Sequence, residues 1–180
     1  MSDEVEARLE AILERVDAWL KFAEAKNTAL IVVTGGASAA LAQQVTRVGV
    51  TKPLRDGLLA AEVCLLVALA TALLSFFPQT DLAKRLTKRS DHPDDADNFY
   101  YYGHLAKYAP ADLPALVARH YTGAQSYDPA GRRSHTDLAA QIGVNASITL
   151  AKLRLFSIAV AILMVALAIL IVTLLVAALA

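Results

Sequence analysis

From Leu155 to Ala180 the chain carries no charged residue and no proline, reading LFSIAVAILMVALAILIVTLLVAALA. As a helix rising ~1.5 Å per residue, this run is longer than the roughly 30 Å hydrocarbon core of a bilayer. A soluble domain of this size has no use for a helix that is apolar on every side. The sequence therefore specifies an integral membrane protein, and any function must be compatible with lipid.

Two further runs support this reading. Residues 28–47 begin TALIVVTGGASAALAQQV, which is uncharged but only moderately apolar. Gly35, Gly36, Ala39 and Ala40 give it a small-residue face, of the kind that lets helices approach closely in lipid. Residues 58–77, LLAAEVCLLVALATALLSFF, are more apolar and end before Pro78. They contain one charge, Glu62, which either snorkels to the nearby interface or faces a pore or another helix. Thr46 to Gly57 reads as the connection, with Gly49, Pro53 and Gly57 as turn formers.

Residues 1–27 form a different kind of helix. Val5, Leu9, Ile12, Val16 and Trp19 are spaced as a heptad seam, widened by Leu13 and Leu20, with Glu and Arg on the other faces. Two partners would satisfy this stripe: the protein's own soluble part, or the same helix of another subunit. The acidic, amphipathic start does not have the basic-then-apolar pattern of a signal peptide. The helix is expected to continue through Glu24, Lys26 and Asn27 into the first span.

Residues 78–154 are the main soluble stretch. DLAKRLTKRS looks like a helix leaving the membrane, and Asp97 or Asn98 is placed to cap the next helix. FYYYGHLAKYA is expected to turn helical after Gly103. APADLPALVARHYTG suggests a short helix begun by proline and ended by Gly123. YDPAGRRS is a loop. His135 to Arg154 is expected to run as one helix into the last span. No strand alternation and no internal repeat is visible.

Ten Lys and Arg lie in the middle segment, including Lys84, Arg85, Lys88, Arg89, Lys152 and Arg154, and four precede the first span. The positive-inside rule puts both in the cytoplasm. Arg47, Lys52 and Arg55 in the outer loop oppose that assignment, but the larger count flanks two spans. The expected fold is all-α: an integral membrane protein with about three transmembrane helices and a small helical cytoplasmic segment between the second and third. Its parts are an amphipathic cytoplasmic helix (1–27), a transmembrane hairpin (28–77), a cytoplasmic helical sensor segment (78–154) and a C-terminal transmembrane helix (155–180).

The chemistry is that of binding. Seventeen basic and seventeen acidic residues cancel, which gives no reason to expect nucleic-acid binding. The four histidines, at 92, 104, 120 and 135, have no zinc-ligand spacing with each other or with Cys64, the single cysteine. No nucleophile elbow or phosphate loop is present. No catalytic centre, metal or cofactor is expected. The unusual feature is Phe99 to Tyr108, with five aromatics, a histidine and a lysine in ten residues. Such a cluster is either a core and interfacial belt or a pocket in which a base stacks on a ring. In the pocket reading Asn98, Tyr101, His104 and Lys107 line the site. Arg132 and Arg133 are available to a phosphate. Gln141 and Asn145, four apart on one helix face, read a base edge or bond to each other and to nearby backbone.

Three stretches resemble one family. They are Trp19-Leu20-Lys21-Phe22-Ala23-Glu24-Ala25-Lys26-Asn27, then Asp97-Asn98-Phe99-Tyr100-Tyr101-Tyr102-Gly103-His104-Leu105-Ala106-Lys107, and finally Asp137-Leu138-Ala139-Ala140-Gln141-Ile142-Gly143-Val144-Asn145-Ala146-Ser147-Ile148 running on to Lys152. In their order relative to the spans they resemble the small transmembrane effectors of Pycsar anti-phage defence, the PycTM family. The family usually has a serine soon after the asparagine; here Ala146 stands before Ser147. The resemblance implies a bacterial inner-membrane effector, and the positive-inside rule places its N-terminus in the cytoplasm. Its ligand would be cyclic UMP or cyclic CMP, made by a companion pyrimidine nucleotide cyclase. Binding would lead the effector to impair the membrane and cause abortive infection. Independently of the resemblance, three thin helices cannot enclose an aqueous path, and the heptad seam and small-residue face call for partners, so a homo-oligomer is expected. The competing class is a structural or adaptor membrane protein that anchors a partner enzyme without ligand gating.

Overall fold

The computed structural model describes residues 2–47, 49–77, 92–94, 96–124, 127 and 132–179. The DLAKRLTKRS stretch and residues 128–131 of YDPAGRRS fall outside the described residues, and Arg133 and Ser134 of the expected loop are already helical. Helix α1 runs Ser2–Val45 without a break. Asp3 and Glu4 in its first turn complement the positive end of the helix dipole. The amphipathic stretch and the first apolar run are thus one helix, as their direct junction predicts. Gly35 and Gly36 do not interrupt it.

Helix α2, Lys52–Leu74, starts earlier than the apolar run. Pro53 sits in its first turn, where the missing N–H costs nothing. Gly57, read as a turn former, is helical. A Cβ at this position would run into the Thr173 side chain, so the glycine allows two helices to pack closely. Of the expected turn residues, Gly49 does serve the connection, with φ +92. At the other end the Ser75 hydroxyl donates to the Ala72 carbonyl at 2.7 Å.

Helix α3 is a single turn, Tyr102–Leu105, shorter than the aromatic stretch suggests. Neither Asp97 nor Asn98 caps it: its N-cap is Tyr101, with no side-chain cap. Helix α4, Leu113–Thr122, has Pro114 in its first turn and ends at Gly123, φ +68, a left-handed geometry that favours glycine. Helix α5 runs Arg133–Leu179, joining the soluble stretch to the last apolar run as expected. No strand occurs among the described residues.

The chain divides into two compact units: Met1–Ala23 with Gln79–Ala151, and Glu24–Pro78 with Lys152–Ala180. Helices α1 and α5 each contribute to both. In the first unit Val5, Leu9, Ile12 and Val16 are fully buried. They share one core with Phe99, Leu105, Leu113, Val117 and Ile142. The seam of α1 therefore packs on the protein's own soluble part. Gly143 allows α5 to approach the loop between α3 and α4, because a Cβ there would stand 2.7 Å from the Pro110 ring.

In the second unit the helices meet through Leu41, Leu58, Ala61, Leu65 and Ala166, and through Leu30, Ala72 and Ala159. Glu62 accepts a hydrogen bond from the Ser38 hydroxyl of α1, so it acts between helices and does not snorkel. Three helices among the described residues are long and apolar enough to cross a membrane. Only 11% of the most apolar window of α5 is buried, and Val165, Ile171, Leu175 and Val176 are more than half exposed. Apolar surface so extensive is stable only against lipid.

Candidate functional site

The loop before α3 is organised around Asp97. Its carboxylate accepts from the Lys107 ammonium at 2.7 Å, the Tyr108 hydroxyl at 3.0 Å and the Asp94 backbone N–H at 3.0 Å. The side chain is only 4% exposed. Burial pushes the Asp97 carboxyl up, but the Lys107 ammonium and the other donors outweigh it and hold the group below its ordinary value of 3.8. Burial, reinforced by the hydrogen bond to Asp97, pushes the Tyr108 hydroxyl up.

The neighbours of Asp97 are bonded with equal economy. The Asn98 N–H donates to His104 Nδ1 at 2.8 Å, which leaves the proton of a neutral ring on Nε2. Asn98 Oδ1 accepts from the Tyr100 N–H at 2.8 Å, closing an Asx turn. These contacts give the aromatic run its shape. Phe99 is buried, with ring centroids 5.3 Å from Tyr108 and 5.2 Å from His120. Tyr101 lies 4.6 Å from Tyr102 and edge-on to His104 at 5.0 Å. Gly103 lets the Tyr101 ring lie where it does, since a Cβ there would stand 2.6 Å from it and displace it.

The structure thus brings Asn98, Tyr101, His104 and Lys107 together. Lys107 is committed to Asp97, while Asn98 and His104 are committed to each other. Gln141 is exposed on α5. Asn145 bonds to neither Gln141 nor local backbone through its amide nitrogen; it donates to Asp17 of α1 at 2.7 Å. Arg132 and Arg133 stand at the start of α5. The Arg132 guanidinium lies over the Tyr127 ring at 5.3 Å, and its Nη1 is buried without a hydrogen-bond partner. Arg133 is 94% exposed beside Asp137 at 3.7 Å. Beside Arg132, the buried His135 contacts the Tyr127 hydroxyl through Nδ1 and stands 3.5 Å from Glu6 through Nε2.

Residue types alone did not single out Asp17, Arg15 or the role of Trp19. Trp19 stands edge-on to Tyr102 at 5.4 Å and to Tyr101 at 6.4 Å, extending the aromatic cluster onto α1. Its place at the end of the apolar seam, among charges, is the signal present in the sequence. Among the described residues no cluster of His, Cys, Asp and Glu is arranged to hold a metal ion.

Three helices long and apolar enough to cross a membrane, with a second compact helical unit rich in aromatic and polar side chains, define a class: small all-α membrane proteins. The family model PycTM, described as the Pycsar effector protein domain, matches residues 8–179. The chain belongs to this family, and membership implies a role in cyclic-nucleotide-based anti-phage defence, with a cyclic nucleotide signal and a companion cyclase. No curated protein and no solved structure matches the chain.

Proposed function

We propose that the chain is a bacterial inner-membrane effector switched on by cyclic UMP or cyclic CMP, and that its active form impairs the membrane and causes abortive infection. It acts by binding and not by turnover. The N-terminus and the sensor unit face the cytoplasm, in keeping with the Lys and Arg distribution. The observation that carries the reading is the family match over nearly the whole chain.

The ligand contacts lie around Tyr101 and the Trp19 ring that it meets on α1, with Gln141 as a further polar group. Asn98, His104, Lys107 and Asn145 hold the loop and the helices that present them. Arg132 and Arg133 stand beside His135 and Glu6, about 20 Å along α1 from Trp19 at ~1.5 Å per residue, and take no part. Ring stacking contributes roughly 1–3 kcal/mol per base. Charge-assisted bonds to phosphate add to this. Carrying a two-state equilibrium from 1:99 to 99:1 takes about 5.5 kcal/mol of differential affinity. One nucleotide supplies energy of that order if it binds the active arrangement selectively. Helices α1 and α5, which run through both units, are the covalent routes by which such a preference reaches the spans.

The test is dye release from phospholipid vesicles holding purified protein. Saturating cyclic UMP or cyclic CMP is expected to release dye with wild type. Tyr101→Ala is expected to insert equally well but release at least several-fold less. Failure of both nucleotides to bind the wild-type protein would refute the reading, and stable insertion without release would favour an adaptor. Three thin helices do not enclose an aqueous path, so the effector is proposed to act as a homo-oligomer. Crosslinking in membranes should yield species larger than one chain, and a strictly monomeric protein with and without nucleotide would contradict this.

A further inference from the structure

We propose that Arg15 and Trp19 of α1 form the reading surface for the nucleotide, with the pyrimidine ring stacked on the Trp19 indole and the cyclic phosphate held by the Arg15 guanidinium. The inference rests on the cyclic-nucleotide reading above and assigns its ligand to residues outside the aromatic loop.

A cavity of about 300 Å³ opens along α1 between Arg15, Ala18, Trp19 and Phe22. That is the lower end of the range that small-molecule sites occupy, roughly 300–1,000 Å³. These residues are spaced three and four apart, so one face of the helix presents them all. Ala18 leaves the floor low between the larger side chains.

Trp19 is unusually well prepared to receive a flat ligand. Phe22, Tyr101 and Tyr102 all meet it with steep ring planes, at 78°, 83° and 60°. They fix the indole in place, and none of the three lies parallel on its face. The group that does lie over the indole is the Arg15 guanidinium, 5.7 Å from the ring centroid. A cation over a half-exposed ring is held weakly, and a planar base can replace it.

Arg15 is equally prepared to meet an anion. It is exposed, and among the described residues no carboxylate forms an ion pair with it. The helix positions three and four away are Ala11, Ile12, Ala18 and Trp19, none of them acidic. Lys107 and Lys152 differ in this respect, since each has a carboxylate within 3 Å. A guanidinium one turn from a stacking surface matches a ligand with one flat ring and one anionic phosphate. It offers two parallel donors to the phosphate oxygens.

Trp19 is the single tryptophan of the chain, so its fluorescence reports on this surface alone. Detergent-solubilised full-length protein is titrated with cyclic UMP and with cyclic CMP, by calorimetry and by tryptophan emission. At least one nucleotide is expected to bind wild type and change the emission. Arg15→Gln should weaken binding roughly tenfold or more, in line with the loss of a charge-assisted bond. Arg15→Lys should recover part of the loss, because charge remains without the fork. Trp19→Ala should weaken binding roughly 5- to 100-fold. Arg8→Gln, which removes a cation over Tyr121 on the same helix, should bind as wild type. Because Arg15 is exposed, its variants should keep the wild-type unfolding midpoint, so a loss of affinity is not a loss of fold. Wild-type binding with unchanged affinity in Arg15→Gln and Trp19→Ala would overturn this assignment and leave the proposed function standing. Absence of any calorimetric binding to wild type would overturn the proposed function itself.

Discussion

Asp97→Ala is expected to destabilise the soluble unit by about 2–4 kcal/mol, more than any surface substitution in the chain. The Lys107 ammonium is 10% exposed and 2.7 Å from the Asp97 carboxylate. Without that anion it is left as a largely buried charge, or it must drag its stem out to water. Tyr108 keeps only its bond to the Asp94 carbonyl. The same pair dictates a pH dependence. The folded carboxyl titrates below its ordinary value of 3.8, so its contribution is complete above that value. It is lost as the pH falls from 3.8 through the lower folded value. Unfolding midpoints followed by Trp19 fluorescence should fall in that acid window for wild type and change less for Asp97→Asn. A midpoint in Asp97→Ala equal to that of wild type would contradict the role given to the pair.

Leu9→Ala should cost the soluble unit about 2–5 kcal/mol, because a fully buried side chain is removed from a core that closes only in part around the gap. A domain stabilised by roughly 5–15 kcal/mol feels such a loss strongly. The apolar runs are long and hydrophobic enough to favour insertion by their own composition. The variant should therefore reach the membrane and show a lower unfolding midpoint and a weakened nucleotide response. Leu9→Met, which conserves volume, should lose less than about 1.5 kcal/mol. Wild-type stability in Leu9→Ala would mean that the α1 seam does not pack in this core.

Much of this architecture is legible because its causes are local. Leu155 to Ala180 declares a span by composition alone. The seam of Val5, Leu9, Ile12 and Val16 declares an amphipathic helix by period. Pro114 and Gly123 mark the two ends of α4 by their backbone preferences. The early start of α2 was not legible. Pro53 and Gly57 are turn formers in most settings, and only the approach of Thr173 shows why a glycine is needed inside that helix. The candidate site was half legible. Its aromatic run stands out in composition, but the partners that hold its polar groups do not.

By itself the sequence determined which segments are long and apolar enough to cross a membrane, which helix faces are apolar and that the chain belongs among Pycsar effectors. These depend on residue type, on a period of 3.6 and on short motifs, all of which are local to a stretch of chain. Tertiary structure alone decided which partner the seam of α1 would take, that Lys107 serves Asp97, and that Trp19 joins the tyrosines. It also decided that Asn145 reaches Asp17, a pair separated by 128 positions. Side chains so far apart meet only when packed helices bring them together, and no local preference encodes which of many polar groups will be the one within 3 Å.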